Sequence, residues 1–223
     1  MCKGRKGRTV KYYYLIKKWI ILKMNREKHM TSKFNYLVNI ILISFFITGC
    51  ADNAYAEEKD REYAPTRYGM SVTAGSSYDP TNNIGFYMMS GFILYDYDKV
   101  WKHNAPDQLR FKAEGSLGVA DDHKTRAVAS MNIFALYYLD MFESQTFRPY
   151  LEGGVGIIYT DFQIKGQGLR INFNPQLGLG TEIKMNSDST FFLTLRLHHI
   201  SNGGIDDENR GINSFMCMLG YYF

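Results

Sequence analysis

Apolar and polar residues alternate along most of the chain from about residue 67 to its end. Between Phe191 and Ser201 the odd-numbered residues are apolar until His199, whereas the even-numbered ones include Arg196 and His198. Successive side chains of a β-strand point to opposite faces, so a period of two predicts a strand with two different faces. This period recurs in eight segments, at about 67–76, 84–95, 109–119, 127–139, 151–159, 171–183, 191–201 and 213–223. The pattern therefore predicts an all-β fold of eight antiparallel strands.

A soluble sandwich or barrel would turn the apolar faces inward, whereas a membrane barrel would turn them outward. The predicted strands are about 10 to 14 residues long, which exceeds the usual globular length and suffices to cross a bilayer when tilted. An even number of strands closes without free edges. Charges of both signs on the polar faces could pair inside a small barrel: Arg110, Lys112, Glu114, Arg126, Arg148, Glu152, Glu182, Lys184 and Arg196. We therefore expect an eight-stranded antiparallel transmembrane β-barrel rather than a periplasmic β-domain.

Pro175 lies within the sixth predicted strand. Proline has no N–H to donate, and a closed barrel has no free edge to accommodate it. We expect a bulge at this position.

The first part of the sequence has the character of an export signal. From Met30, a basic residue precedes an apolar run over residues 37–48, and an A-x-A site ends at Ala56. We interpret residues 1–29 as an upstream start artefact, 30–56 as a signal peptide and 57–223 as the barrel. The Gly49-Cys50 sequence offers an alternative, a lipid attached to Cys50.

Removal of residues 1–56 reverses the charge of the protein. The remaining chain keeps 15 of the 26 Lys and Arg residues and 20 of the 22 Asp and Glu residues, a formal charge of −5. The basic balance of the whole sequence is therefore no argument for nucleic acid binding. Cys217 is the one cysteine left, so an intrachain disulfide is excluded in the mature chain.

With both termini in the periplasm, eight strands leave four outer loops. These fall near 77–82, 121–125, 161–170 and 202–210. The seventh strand then reaches the outer surface at Ser201, and the eighth descends from Asn213. His199, Ser201 and Asn213 would face lipid in the outer leaflet, where polar side chains are costly unless they serve a function.

These three side chains have the chemistry of a serine esterase. His199 and Ser201 are two residues apart on a strand, about 6.5 Å between Cα atoms, and share a face. A histidine base can activate a serine, and Asn213 could orient the imidazole through its carbonyl. The backbone N–H groups of the Asn202-Gly203-Gly204 turn could hold the oxyanion. Such chemistry requires no cofactor. A histidine and a serine in one strand are also often incidental.

The segment from Arg196 to Ile205 resembles the H-x-S-N-x-G signature of the outer-membrane lipid A deacylases of the acyloxyacyl hydrolase family. The resemblance implies removal of the ester-linked 3-hydroxyacyl chain at the 3-position of lipid A, with Ser201 as nucleophile and His199 as base. The family's glutamate falls on Asn213. Either this amide alone orients His199, or a loop acid assists, for which the candidates are Asp206, Asp207 and Glu208.

Other residues carry weaker expectations. Lys165, Arg170 and Arg210 could bind lipid A phosphates or sugars, or could be solvated surface charges. His198 is expected in the lumen, bonded to its neighbours, and residues 206–208 lack the ligand spacing of a calcium loop. The terminal Phe223 resembles the signal read by the barrel assembly machinery.

Two alternatives to lipid A deacylation remain open at this point. One is a noncatalytic outer-membrane barrel, and the other is a phospholipase or acyltransferase that uses the same Ser-His pair. The sequence also leaves both a monomer and a homodimer open.

Overall fold

The computed structural model describes residues 64–80, 83–101, 105–186 and 189–223. The expectations for the start artefact, the signal peptide and Cys50 fall outside these residues. No helix within the described ranges is long and apolar enough to span a membrane.

The strands form one antiparallel sheet that closes on itself. Each strand pairs with its neighbours along the chain, and the last strand, β9, returns to pair with β1. The elements are β1 (Arg67–Asp79), β2 (Gly85–Asp96), a short helix α1 (Tyr97–Trp101), β3 (Leu109–Asp121), β4 (Thr125–Tyr138), a 3₁₀ turn (Asp140–Phe142), β5 (Phe147–Thr160), β6 (Ile171–Phe173), β7 (Gln176–Asn186), β8 (Ser189–Ile200) and β9 (Ile212–Tyr222). β6 and β7 are consecutive parts of one barrel strand, since both pair with β5. The predicted eight-stranded antiparallel barrel is confirmed.

Pro175 separates β6 from β7 without a bulge. Ile157 pairs with Phe173 before the break, and Gly154 pairs with Gln176 after it, so three residues on one strand match three on the other. The expected bulge is therefore wrong. The ladder accommodates the proline by keeping the hydrogen bond from His199 N to Pro175 O, 3.0 Å long, and omitting the reciprocal donor that proline lacks.

The outward face of the barrel is apolar. Leu117 and Met131, for example, are 70% and 71% exposed. Large exposed apolar surfaces are unfavourable in water but are compatible with the hydrocarbon core of a membrane. This outward placement of large apolar side chains matches a transmembrane barrel and is not that of a soluble one.

The interior is filled by side chains in layers. An apolar cluster that includes Phe86, Phe162 and Ile212 lies towards the outer loops, and a second cluster that includes Tyr138, Tyr150 and Phe192 lies towards the opposite end. Between them is a network of buried charges.

Arg196 is the centre of this network. It donates two hydrogen bonds of 2.8 Å to Glu114 and another to Glu152, and Glu152 also accepts from Lys112. All four residues are buried, so each charge is compensated by a partner of opposite sign. The predicted pairing of charges inside the barrel is confirmed for these residues.

Candidate active site

His199 and Asn213 form a hydrogen-bonded pair on the outer face of the barrel. The antiparallel register of β8 and β9 places them directly opposite each other. His199 Nδ1 and Asn213 Oδ1 are 2.6 Å apart. Both side chains are half-buried and continue the lipid-facing series of Leu193, Leu195 and Leu197. The cross-strand contact predicted from the alternation is confirmed.

Ser201 lies two residues beyond His199, at the point where β8 gives way to the loop. It is half-buried and forms an isolated bridge with Phe173, in which Phe173 N donates to Ser201 O at 2.8 Å and Ser201 N donates to Phe173 O at 3.2 Å. This bridge fixes the backbone of Ser201 to β6. The structure shows no hydrogen bond between the Ser201 hydroxyl and His199. Such contacts often form only when substrate binds.

Gly211 leaves room for the imidazole of His199 because it has no side chain. Continued by one residue beyond Ile212, the register of β8 and β9 places Gly211 opposite Ser201. A Cβ atom at Gly211 would lie 2.7 Å from His199 Cε1 and 3.3 Å from Nε2. The Cε1–Nε2 edge of the ring therefore occupies the space that a side chain at Gly211, the residue opposite Ser201, would fill.

A carboxylate from β1 supports the pair. Asn213 Nδ2 donates to Asp79 Oδ2 at 2.9 Å, and Arg210 Nη2 donates to Asp79 Oδ1 at 2.9 Å. Three loop acids are the sequence-derived candidates for assisting His199, namely Asp206, Asp207 and Glu208; among the described residues none of them is hydrogen-bonded to His199 or Asn213. Asp206 instead stabilises its own loop, because its Oδ1 accepts a hydrogen bond of 2.9 Å from Glu208 N.

The Asn202-Gly203-Gly204 turn differs in part from the predicted oxyanion site. Asn202 N donates to Asn209 Oδ1, and Gly204 N donates to Asn202 Oδ1, each at 2.8 Å. Within the described part of the chain, the Gly203 N–H makes no hydrogen bond. Gly203 and Gly204 have φ values of 67° and 87°, which glycine adopts without strain. In this conformation the turn thus offers one of the three expected donors.

Two outer loops are joined above the site. Gly168 N donates to Glu208 O at 2.6 Å, and Arg210 N donates to Gly166 O at 2.7 Å. Within the 202–210 loop, the buried side chain of Asn202 donates from Nδ2 to Glu208 O at 3.0 Å. Backbone hydrogen bonds therefore hold the 161–170 and 202–210 loops together next to Ser201.

The three cations proposed for substrate binding have different environments. Arg210 is committed to Asp79, and Arg170 Nη1 donates to Asp161 at 2.6 Å. A hydrogen bond with Tyr159, together with the charge of Asp161, raises the pKa of Arg170 above its ordinary value. Lys165 is exposed and has no ion pair within the described ranges. Of the three cations, Lys165 is therefore the one without an ion pair among the described residues.

His198 points into the barrel as predicted, but not with the expected bonds. It is buried, its Nδ1 has no hydrogen-bond partner in the described structure, and its ring meets Phe86 edge-on at 5.7 Å. In addition, no group of three acidic, histidine or cysteine side chains in the described segments is arranged to hold a metal ion.

A closed barrel with an apolar outer wall and a hydrogen-bonded His-Asn pair beside a serine defines an outer-membrane β-barrel with an enzyme-like site facing the lipid. Comparison with known families identifies it further. The sequence model of the family described as lipid A 3-O-deacylase (PagL) matches residues 90–222, which is more than half of the chain. The chain therefore belongs to this family, whose members are outer-membrane ester hydrolases.

Individual relatives are distant in sequence. Lipid A deacylase PagL of Pseudomonas aeruginosa is 23% identical over 152 residues, which cover 65% of this chain and 86% of that protein. The crystal structure of the outer membrane enzyme PagL aligns with a TM-score of 0.49 at 19% identity, over 68% of this chain and 97% of that chain. Neisserial surface protein A aligns with a TM-score of 0.49 at 13% identity, over 70% and 94%.

Two contacts of the site were not predicted from the sequence. Asp79 falls within the outer loop expected near 77–82, although it bonds to Asn213 from the end of β1. Gly211 has no role assigned from the sequence, whereas its missing side chain accommodates the imidazole. A tight approach of this kind could have been suspected from a glycine directly opposite a candidate nucleophile.

Proposed function

We propose that this protein hydrolyses the ester-linked 3-hydroxyacyl chain at the 3-position of lipid A in the outer leaflet. The observation that carries the proposal is the His199–Asn213 hydrogen bond on the lipid-facing wall, next to Ser201. A polar cluster at this location is costly in lipid, and membership of the lipid A 3-O-deacylase family supplies the substrate class.

In the proposed reaction, Ser201 is the nucleophile and His199 is the base. Ser201 Oγ attacks the ester carbonyl carbon while His199 Nε2 accepts the hydroxyl proton. When the bond to the sugar oxygen breaks, the imidazolium returns this proton to the departing hydroxyl group. Water then attacks the acyl-enzyme with His199 again as base, which releases the hydroxy fatty acid and restores Ser201.

The remaining residues orient these groups. Asn213 accepts from Nδ1 of His199 and so leaves Nε2 to face Ser201. The Gly203 N–H is the donor available to the oxyanion, and the N–H groups of Asn202 and Gly204 would add to it only once released from Asn209 and Asn202. We infer that Lys165 contacts a lipid A phosphate, with Arg170 and Arg210 as further candidates.

The end of the last strand also bears on how the barrel is assembled in the membrane. We infer that the exposed terminal Phe223, whose N–H donates to Tyr68 O at 2.9 Å, is read by the barrel assembly machinery. Export would precede this step, with cleavage after Ala56.

The test uses purified, folded protein and its Ser201→Ala variant on two substrates, lipid A and phospholipid. The variant should lose activity by about 10⁴-fold or more, because the nucleophile is removed. Mass spectrometry of the products should show a free 3-hydroxy fatty acid and lipid A that lacks one acyl chain at the 3-position.

Other products would favour the alternatives. Release of fatty acid from phospholipid alone would indicate a phospholipase, and transfer of the chain to an acceptor would indicate an acyltransferase. A folded wild-type barrel that acts on neither substrate would favour a noncatalytic role.

A further inference from the structure

Asp79 reaches the site because β1 is irregular at its outer end. In β1 the odd-numbered residues Thr73 and Ser77 are buried in the lumen, so regular alternation would direct Asp79 inward. A register shift between Ser77 and Asp79 inserts Tyr78 as an extra residue, and Asp79 pairs with Asn213. β-Bulges commonly redirect a side chain next to an active site. Here the bulge brings the carboxylate to the outer face.

The carboxylate determines which way the Asn213 amide points. An ionised carboxylate only accepts hydrogen bonds, so the Asn213 group that faces Asp79 must be the NH₂. The carbonyl oxygen of Asn213 then faces His199 Nδ1, at 2.6 Å. Because this oxygen also only accepts, Nδ1 must carry the proton, and Nε2 is left unprotonated for Ser201.

Arg210 holds the carboxylate in this orientation. Each carboxylate oxygen of Asp79 has one partner, Arg210 for Oδ1 and Asn213 for Oδ2. The Asp79 and Arg210 side chains are 44% and 49% exposed, so this ion pair lies on the outside of the barrel rather than in the lumen. Arg210 thereby fixes the orientation of Asp79 through one of its N–H groups.

We propose that Asp79 is a positioning residue for the esterase reaction, acting through Asn213 to fix the tautomer of His199 and to stabilise its protonated form. The amide and the carboxylate together perform what a single acid would do beside the histidine. This inference rests on the proposed function. It explains why a neutral residue can occupy position 213.

The test exchanges the amide and the carboxylate without changing their size. Asp79→Asn removes the charge and allows the Asn213 amide to turn over, so we expect kcat to fall on the order of 10- to 100-fold with KM unchanged. Asn213→Asp places two carboxylates in contact and should also lower kcat. The double variant, Asp79→Asn with Asn213→Asp, returns a single carboxylate bonded to one amide, and we expect kcat within about threefold of wild type.

The matched control is Asp122→Asn. Asp122 is another outer-loop carboxylate paired with an arginine, 3.9 Å from Arg126 Nε, and has no contact with the His199 pair. It should retain wild-type kcat. The shift in electrophoretic mobility between unheated and heated samples reports whether each barrel is folded.

Three results would overturn the inference: an Asp79→Asn barrel with wild-type kcat, a loss confined to KM, or a folded double variant with the combined loss of both single variants. If Asp79→Asn alone fails to fold, the kcat of the double variant is compared with that of Asn213→Asp. A double variant no faster than Asn213→Asp would then overturn the inference. Failure of the proposed function is distinct, because wild-type protein would then release no hydroxy fatty acid from lipid A.

Discussion

At the residue scale, Gly211 shows how the site depends on an absent side chain. The His199 ring fills the volume that a Cβ atom would need, whereas at Gly153 an added Cβ would meet only Leu177 Cδ1, at 3.8 Å. The two glycines therefore differ in what an added methyl group would contact, although both lie in a lipid-facing wall.

Replacement of Gly211 by Ala should displace the imidazole and leave the barrel folded. A displacement of about 1 Å in a reacting group can lower the rate about 100-fold, so we expect kcat to fall on the order of 10- to 100-fold. Steady-state kinetics on lipid A would measure the loss. Gly153→Ala is the control and should retain wild-type kcat. Equal kinetics for the two variants would contradict the assigned role of Gly211.

Individual residues differ in how far the sequence predicted their positions. His199 and Asn213 were placed together because both belong to regular strands with a period of two. Asp79 was missed because one extra residue in β1 changes its face, and no local sequence pattern marks that bulge. The hydrogen bonds that occupy two of the three N–H groups in the oxyanion turn were not predicted. Asn209 accepts from Asn202 N seven residues away in the loop, and Asn202 Oδ1 accepts from Gly204 N within the turn itself.

At the element scale, the joined outer loops determine the shape of the site. Gly168 packs so closely that an added Cβ would collide with the Asp206 carboxylate and lie 2.9 Å from Glu208 O. The loop that contains these acids also positions Asn202 and Gly203 beside Ser201. The two loops must therefore stay in contact for the turn to keep its geometry.

Gly168→Ala should separate the loops and lower kcat/KM for lipid A, on the order of tenfold, with little effect on barrel stability. Strand pairing supplies that stability and does not involve this loop. Parallel measurements of hydrolysis and thermal unfolding would test this expectation. A loss of stability in proportion to the loss of activity would show that the loops support the whole barrel instead.

Strand identity was predictable but the strand break at Pro175 was not. Proline was expected to force a bulge, since it lacks a donor. The ladder instead loses one hydrogen bond and keeps its register. β5 pairs with β6 before the break and with β7 after it, and β8 pairs with β7 from the other side. The cost of one missing bond is smaller than that of shifting two paired strands.

At the scale of the whole molecule, the buried charge network holds the lumen together. Arg196 bridges Glu114 on β3 and Glu152 on β5 from its own position on β8. The alternation predicted which charges face inward, but the pairing depends on the diameter and stagger of the closed barrel. The bidentate contact with Glu114 was therefore not readable from the sequence.

Arg196→Met should destabilise the barrel by about 3–5 kcal/mol, since it leaves buried carboxylates without their main partner. Lys184→Gln is the control, because its ion pair with Glu143, 2.9 Å long, is partly exposed and should contribute about 0–1 kcal/mol. Urea titration of folded protein in detergent or vesicles would measure both. Similar unfolding midpoints for wild type and Arg196→Met would contradict a structural role for the network.

The central claim is that this barrel removes an acyl chain from lipid A in the membrane where it resides. The most direct measurement is mass spectrometry of lipid A from cells that express the wild-type protein and from cells that express folded Ser201→Ala. We predict lipid A lighter by one 3-hydroxyacyl chain with the wild-type protein and unchanged lipid A with the variant. Identical lipid A from both, with both barrels folded in the outer membrane, would contradict the claim.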